Sequence, residues 1–176
     1  MTKCLGKNTA QFKKIPLSEV INGIRYCQLN ALNYLKDAQM ILQEKRYGHA
    51  YVSVHLAIEE LGKAVLLKEH AEKAWKNGAD EISINLKTKW KDHEYKTKKA
   101  WKILDPTLKM QILHKKTRLD INDTFASPST RLKNAFADFN GKTWSLGDVI
   151  DEPKIEALIN IVKKVLKSGV LLQLPF

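Results

Sequence analysis

Apolar side chains between residues 20 and 41 fall on one helical face. Val20, Ile24, Cys27, Ala31, Tyr34, Leu35, Ala38 and Ile41 recur at spacings of three and four. The pattern predicts a helix from a Ser18 N-cap, with Glu19 in its first turn, to about Lys45; Gly23 weakens it locally without ending it. Glu44 to Gly48 reads as a short polar turn, so a second helix, His49 to Lys76, packs antiparallel on the first and stops at Asn77-Gly78. Residues 79–86 alternate Ile82, Ile84 and Leu86 with polar neighbours. A short strand fits that alternation, but the helical surroundings favour an extended loop laid on the core. A third helix, Thr88 to Leu104, is expected to end before Asp105-Pro106, because the residue preceding proline disfavours helical geometry. A shorter helix over Thr107 to Lys116 follows it. Beyond Ser127-Pro128-Ser129 an amphipathic stretch spans Thr130 to Phe139, Asn140-Gly141 turns the chain, and Trp144 and Leu146 pin the loop. The last helix starts near Asp151 with Pro153 in its first turn and closes at Gly169. The expected architecture is an all-α, up-and-down bundle of four main helices plus one or two short ones. It forms a single domain over residues 17–176 behind a flexible arm at residues 1–16.

Composition narrows the class. A length of 176 residues suffices for one buried core, and 44% apolar with 28% charged residues is that of a globular chain. Cys4 and Cys27 match no metal or disulfide spacing, and no cofactor is implied. The segment Met1 to Lys14 carries four lysines and no apolar stretch, which argues against a secretory signal. No apolar run reaches the roughly 18 residues needed to span a bilayer. The expectation is a cytoplasmic protein with no membrane partner. The net charge of +11 favours polyanions. From Lys87 to Arg118, eleven Lys and Arg face only Asp92, Glu94 and Asp105, a balance of +8. Either a solvated lysine-rich helix face or a surface for RNA or another phosphate-bearing ligand would produce such a segment.

The second helix carries the sharpest chemical signal. On a helical wheel Val54, Ala57, Ile58, Leu61, Ala64 and Val65 share one apolar arc. The opposite side interleaves His55, Glu59, Glu60 and Lys63 with Leu56, Leu66 and Leu67. A face that mixes charge with large aliphatic groups is expected to be covered, by a dimer partner or within a cleft. Glu59 and Glu60 stand four and three residues before Lys63, which also suits an ordinary helix-stabilising pair. On the third helix Lys89, His93 and Lys96 share a face among Lys91, Lys98 and Lys99, with Trp90, Tyr95 and Trp101 interleaved. A histidine among lysines suits a general base, and it equally suits a packing or capping role. Arg131 and Asp138, seven residues apart, would share one face of a short helix as a site pair or a structural one.

Three elements in order carry a family resemblance. The stretch from Ala31 to Leu67, with Asp37-Ala38, the Arg46-Tyr47-Gly48-His49-Ala50 turn and Glu59-Glu60-Leu61-Gly62-Lys63, resembles the core of AbiV-type HEPN domains. Trp90-Lys91-Asp92-His93-Glu94-Tyr95-Lys96 is similar to that family's histidine-and-lysine segment, and Arg131 to Asp138 to its later arginine-to-aspartate element. The resemblance covers about residues 20–168. It implies a HEPN helical bundle, commonly a homodimer, in a family associated with abortive infection against phage. Many HEPN proteins are metal-independent endoribonucleases that use an arginine followed four to six residues later by histidine. That pair is absent here: His49 and His55 lie too near and too far from Arg46, and no histidine follows Arg118 or Arg131.

Two functions remain open. In the first, the chain is a noncanonical ribonuclease that arrests growth. His93 then serves as acid or base, Glu59 or Glu60 orients Lys63 or shares the proton transfer, and Lys63, Lys89, Lys96, Lys99 and Arg131 hold phosphate, supported by Asp138. In the second, the protein is nonenzymatic and blocks translation or senses a phage protein, with Glu59, Glu60 and Lys63 holding a dimer. A metal centre built on Glu59, Glu60, Asp138 and His93 is disfavoured, because Lys63 stands where a di-iron Glu-x-x-His motif needs histidine.

Overall fold

A computed structural model describes residues 12–85, 90–113, 137–139, 144–146 and 151–173. Its described part is mostly helical, as the periodicity predicts. In chain order the elements are β1 (Phe12–Pro16), α1 (Leu17–Gln43), α2 (Tyr47–Lys76), β2 (Glu81–Asn85), α3 (His93–Leu113), β3 (Ala137–Phe139), β4 (Trp144–Leu146) and α4 (Glu152–Lys167). A short 3-10 turn, Val170–Leu172, follows α4.

α1 buries Val20, Ile24, Cys27, Ala31, Leu35, Ala38 and Leu42 against α2. The helix starts at Leu17 after Pro16, so Ser18 is not its cap. Its end is closed by Lys45 in the left-handed region (φ 59): the Lys45 amide donates to the Leu42 carbonyl at 2.9 Å and the Arg46 amide to Ile41 at 3.2 Å. The three residues 44–46 therefore fold α2 straight back on α1, the antiparallel pairing that the short turn predicts. At the far end of α2, Gly78 takes the same role with φ 66, and the Ala79 amide reaches the Ala74 carbonyl at 2.9 Å.

α2 is the central element, packed by α1, α3, α4 and β2. Its second face is largely buried too: Glu59 and Gly62 lie against α3 of the same chain, and Leu67 reaches Gly23 of α1. Residues 79–86, whose alternation fits a strand but whose helical surroundings favour a loop, contain a strand. β2 pairs antiparallel with β1, Ile15 opposite Ile82 and Lys13 opposite Ile84. Residues 12–16 of the arm supply the hydrogen-bonding edge, and Ile82 and Ile84 drop into the core. The alternation is the local trace of this strand, but its partner, 67 residues away at Ile15, is not legible from it.

α3 differs from its prediction at both ends. Residues 90 and 91 form a turn, and Asp92 caps the helix by accepting the Tyr95 amide at 3.0 Å, so α3 starts at His93. It then runs through Asp105-Pro106 to Leu113 without the expected break. An internal proline costs about 3 kcal/mol. Ala100, Trp101 and Leu104, all ahead of the proline, anchor the first part of α3 in the core. At the end of the stretch Thr130 to Phe139, residues 137–139 form not helix but β3, paired with β4 so that Asp138 is the register partner of Ser145; residues 130–136 lie outside the described residues. α4 follows its sequence signals: Asp151 caps it by accepting the Lys154 amide at 3.1 Å, and Ile155, Leu158, Ile159, Val162 and Val165 face the core. Gly169 (φ 67) ends it, and Lys68 of α2 donates to the Val170 carbonyl at 2.7 Å.

Candidate functional site

The return run through β2 lets α3 begin beside the middle of α2, and contacts then advance in the same direction along both helices. This geometry places His93 and Lys96 of α3 on Glu59 of α2, and Lys99 and Lys102 on Glu69, nearly three turns further along.

Glu59 is the deepest of these carboxylates, 3% exposed, and Lys96 opposite it is 5% exposed. Glu59 Oε2 accepts from His93 Nδ1 at 2.7 Å and lies 3.0 Å from Lys96 Nζ. An ionised carboxylate at this depth is costly without partners. Lys96 supplies the opposite charge, and His93 supplies a hydrogen bond. A carboxylate can only accept, so Nδ1 carries the hydrogen and Nε2 is the proton-accepting nitrogen of the neutral ring. The His93 side chain is 54% exposed, so this buried acceptor orients a histidine that meets solvent.

One residue on, Glu60 accepts from Lys63 at 2.5 Å, and the Lys63 ammonium lies 5.8 Å from the centre of the Trp90 ring. Cys27 of α1 feels this pair: burial first, then the Glu60 carboxylate, pushes its thiol up to about 12, against a smaller opposing effect of Lys63. Three turns along, Glu69 accepts from Lys102 at 2.6 Å and from Lys99, whose ammonium stands 5.5 Å from the Tyr95 ring centre. Partial burial acts to raise the Glu69 carboxyl, but the two lysines outweigh it and hold it below the ordinary carboxylate value. Lys99 loses stability as a cation through burial but gains more from Glu69, and ends above its ordinary value. Lys98 is paired with Glu94 one turn away at 2.6 Å.

Of the residues singled out from sequence, Glu59, His93 and Lys96 form one hydrogen-bonded group across the α2–α3 contact, and Glu60 and Lys63 form a separate pair beside Trp90 and Cys27. Lys99 belongs to the neighbouring Glu69 cluster. Lys96, assigned to phosphate from its face of the helix, is buried on Glu59. Asp138 lies on β3, where only its backbone is described, and the helical pairing with Arg131 at seven residues does not apply to it. Lys89 and Arg131 lie outside the described residues. His55, on the same side of α2, is 1% exposed and packs edge-on against Tyr51, with ring centres 4.4 Å apart. Sequence reasoning missed Glu69 and the place of Trp90 beside Lys63. The signal for Glu69 was available in the three-residue rhythm of Lys96, Lys99 and Lys102. Among the described residues no group of three or more His, Cys, Asp or Glu gathers as a metal site, and no helix is long and apolar enough to cross a membrane.

Comparison with curated proteins and with solved structures gives no match. A family model described as AbiV, of the HEPN type, matches residues 19–167. That span runs from the first turn of α1 to the last residue of α4 and includes every element of the α2–α3 cluster, so the chain belongs to the AbiV family of HEPN proteins.

Proposed function

We propose that the protein acts in abortive infection, the phage-defence role that its family suggests, as a cytoplasmic, metal-independent ribonuclease. The single observation behind the catalytic reading is the buried Glu59 carboxylate that holds His93 by Nδ1 at 2.7 Å. In the reaction, His93 Nε2 takes the proton of an RNA 2′-hydroxyl as that oxygen attacks the adjacent phosphorus. The P–O5′ bond then breaks, leaving a 2′,3′-cyclic phosphate, and the departing 5′-oxygen takes a proton from water, while the His93 imidazolium returns its proton to solvent. Lys63, held by Glu60, faces the phosphate charge, with Lys89 and Arg131 as further cations. Lys96 acts differently from a phosphate ligand: it fixes the charge of Glu59 from within. The purified protein, incubated with total RNA, is expected to cleave it, and His93→Ala is expected to slow cleavage by about 10²–10⁴-fold. Unchanged cleavage in His93→Ala removes the histidine from the mechanism.

A second reading, a nonenzymatic RNA- or protein-binding module, draws support from the pairing of the α3 lysines. Lys96, Lys98, Lys99 and Lys102 each sit on a carboxylate of the same chain, which lowers the cationic field available to a reacting phosphate. RNA binding that weakens steeply with salt, without cleavage, would decide for it. In either reading we expect a homodimer, supported by the exposed Tyr26, Leu29 and Met40 on α1. Sedimentation as a monomer at micromolar concentration would exclude that assembly.

A further inference from the structure

The Glu59–His93 contact depends on how closely α3 approaches α2, and one residue sets that approach. A Cβ on Gly62 would lie 2.0 Å from the Lys96 carbonyl oxygen, 2.6 Å from its carbon and 3.0 Å from its Cα. All three are backbone atoms, so no side-chain rotation relieves the clash. Gly62 stands one helical turn after Glu59, and Lys96 one turn after His93, so the closest backbone approach lies directly alongside the dyad. Gly23 makes an instructive contrast. The atom nearest to its Cβ position is the Leu67 Cδ1 methyl at 3.0 Å, the far end of a flexible side chain.

The geometry points to Gly62 as a positioning residue: by lacking a Cβ it lets α3 sit close enough for Glu59 to hold His93 in its working orientation. This inference rests on the ribonuclease reading for its catalytic consequence, but the positioning itself does not. Ordinary contact begins at 3.4 Å, so a Cβ at Gly62 displaces the Lys96 carbonyl by about 1.4 Å. Carried to His93 by a rigid helix, a shift of that size stretches the 2.7 Å hydrogen bond beyond bonding range. Misplacing a catalytic group by about 1 Å costs on the order of 10²-fold in rate.

The test uses the full chain carrying Gly62→Ala, with Gly23→Ala as control, and reads two quantities. Nitrogen-15 NMR of the His93 ring reports whether Nδ1–H is still hydrogen-bonded, and steady-state cleavage of RNA separates kcat from KM. Gly62→Ala is expected to lose the hydrogen-bonded Nδ1 signal and about 10²-fold in kcat with KM little changed, while Gly23→Ala keeps both. Glu59→Asp, which withdraws the carboxylate by about 1.5 Å and leaves the helix crossing alone, is expected to reproduce both losses. It also carries the test of the distance argument if Gly62→Ala does not fold. A folded Gly62→Ala that retains the His93 signal and kcat overturns the proposal, and so does a Glu59→Asp that retains both. If the unsubstituted protein cleaves no RNA, or cleaves it without His93, the ribonuclease reading fails and the NMR comparison still decides what Gly62 does.

Discussion

Removing either member of the Glu59–Lys96 pair should destabilise the protein far more than removing both. Glu59 is 3% exposed and Lys96 5%, with Oε2 and Nζ 3.0 Å apart. Glu59→Leu strands an ammonium inside the α2–α3 contact, and a buried pair broken in this way costs about 3–5 kcal/mol. Lys96→Met strands the carboxylate instead. It falls at the lower end, about 3 kcal/mol, because His93 still donates to Glu59. The double variant Glu59→Leu with Lys96→Met removes both desolvated charges and fills their space with apolar atoms, so it should lie within about 1 kcal/mol of the original protein. Urea unfolding of all four forms at one pH is the assay. With m of about 2 kcal/mol/M, each single variant moves the midpoint down by about 1.5 M or more at unchanged slope, and the double variant returns it. Single variants that each cost less than about 1 kcal/mol, the value of a hydrated surface pair, would refute the burial on which the site rests. The double variant should stay folded and be inactive in cleavage, which separates the pair's catalytic use from its structural one.

Other predictions concern groups outside that pair. Glu69 is held below its ordinary value, so its contribution is present above the unfolded carboxylate value of about 4.3 and is lost as pH falls through the lower native one. Glu69→Gln should therefore cost stability at pH 7, by under about 1 kcal/mol given its partial exposure, and the deficit should vanish in acid; a deficit that grows below pH 4 contradicts the assignment. The Cys27 thiol, pushed up to about 12 by burial and Glu60, should resist iodoacetamide at pH 8 in a Cys4→Ser background until the protein unfolds. Labelling at the rate of a free thiol would show that the site opens. Asp151→Ala removes the side-chain acceptor from the Lys154 amide and should cost about 0.5–2 kcal/mol in thermal or urea unfolding.

The residues that sequence could place are those whose partners are local. The apolar rhythm from Val20 to Ile41, the stop at Asn77-Gly78, and the Asp151 cap with Pro153 behind it depend on neighbours within a turn or two, and periodicity and capping chemistry read them directly. The mixed face of α2 announced that something must cover it, because leucines interleaved with carboxylates do not stay in water. Its three-dimensional answer was not written locally. Glu59 and His93 stand 34 residues apart, Lys99 and Glu69 30, and β1 meets β2 across more than 60. Those pairings depend on where the return through β2 sets α3 down. Pro106 marks a local signal that misled, since α3 runs through Asp105-Pro106 to Leu113 where the proline predicts a stop. Helix content, the existence and approximate extent of α1, α2 and α4, and the list of charged residues were thus determined by sequence alone. Which lysine is buried, which carboxylate orients the histidine, and that α3 packs on the Glu59 side of α2 were decided by tertiary structure, because charge pairing and desolvation depend on distance in space.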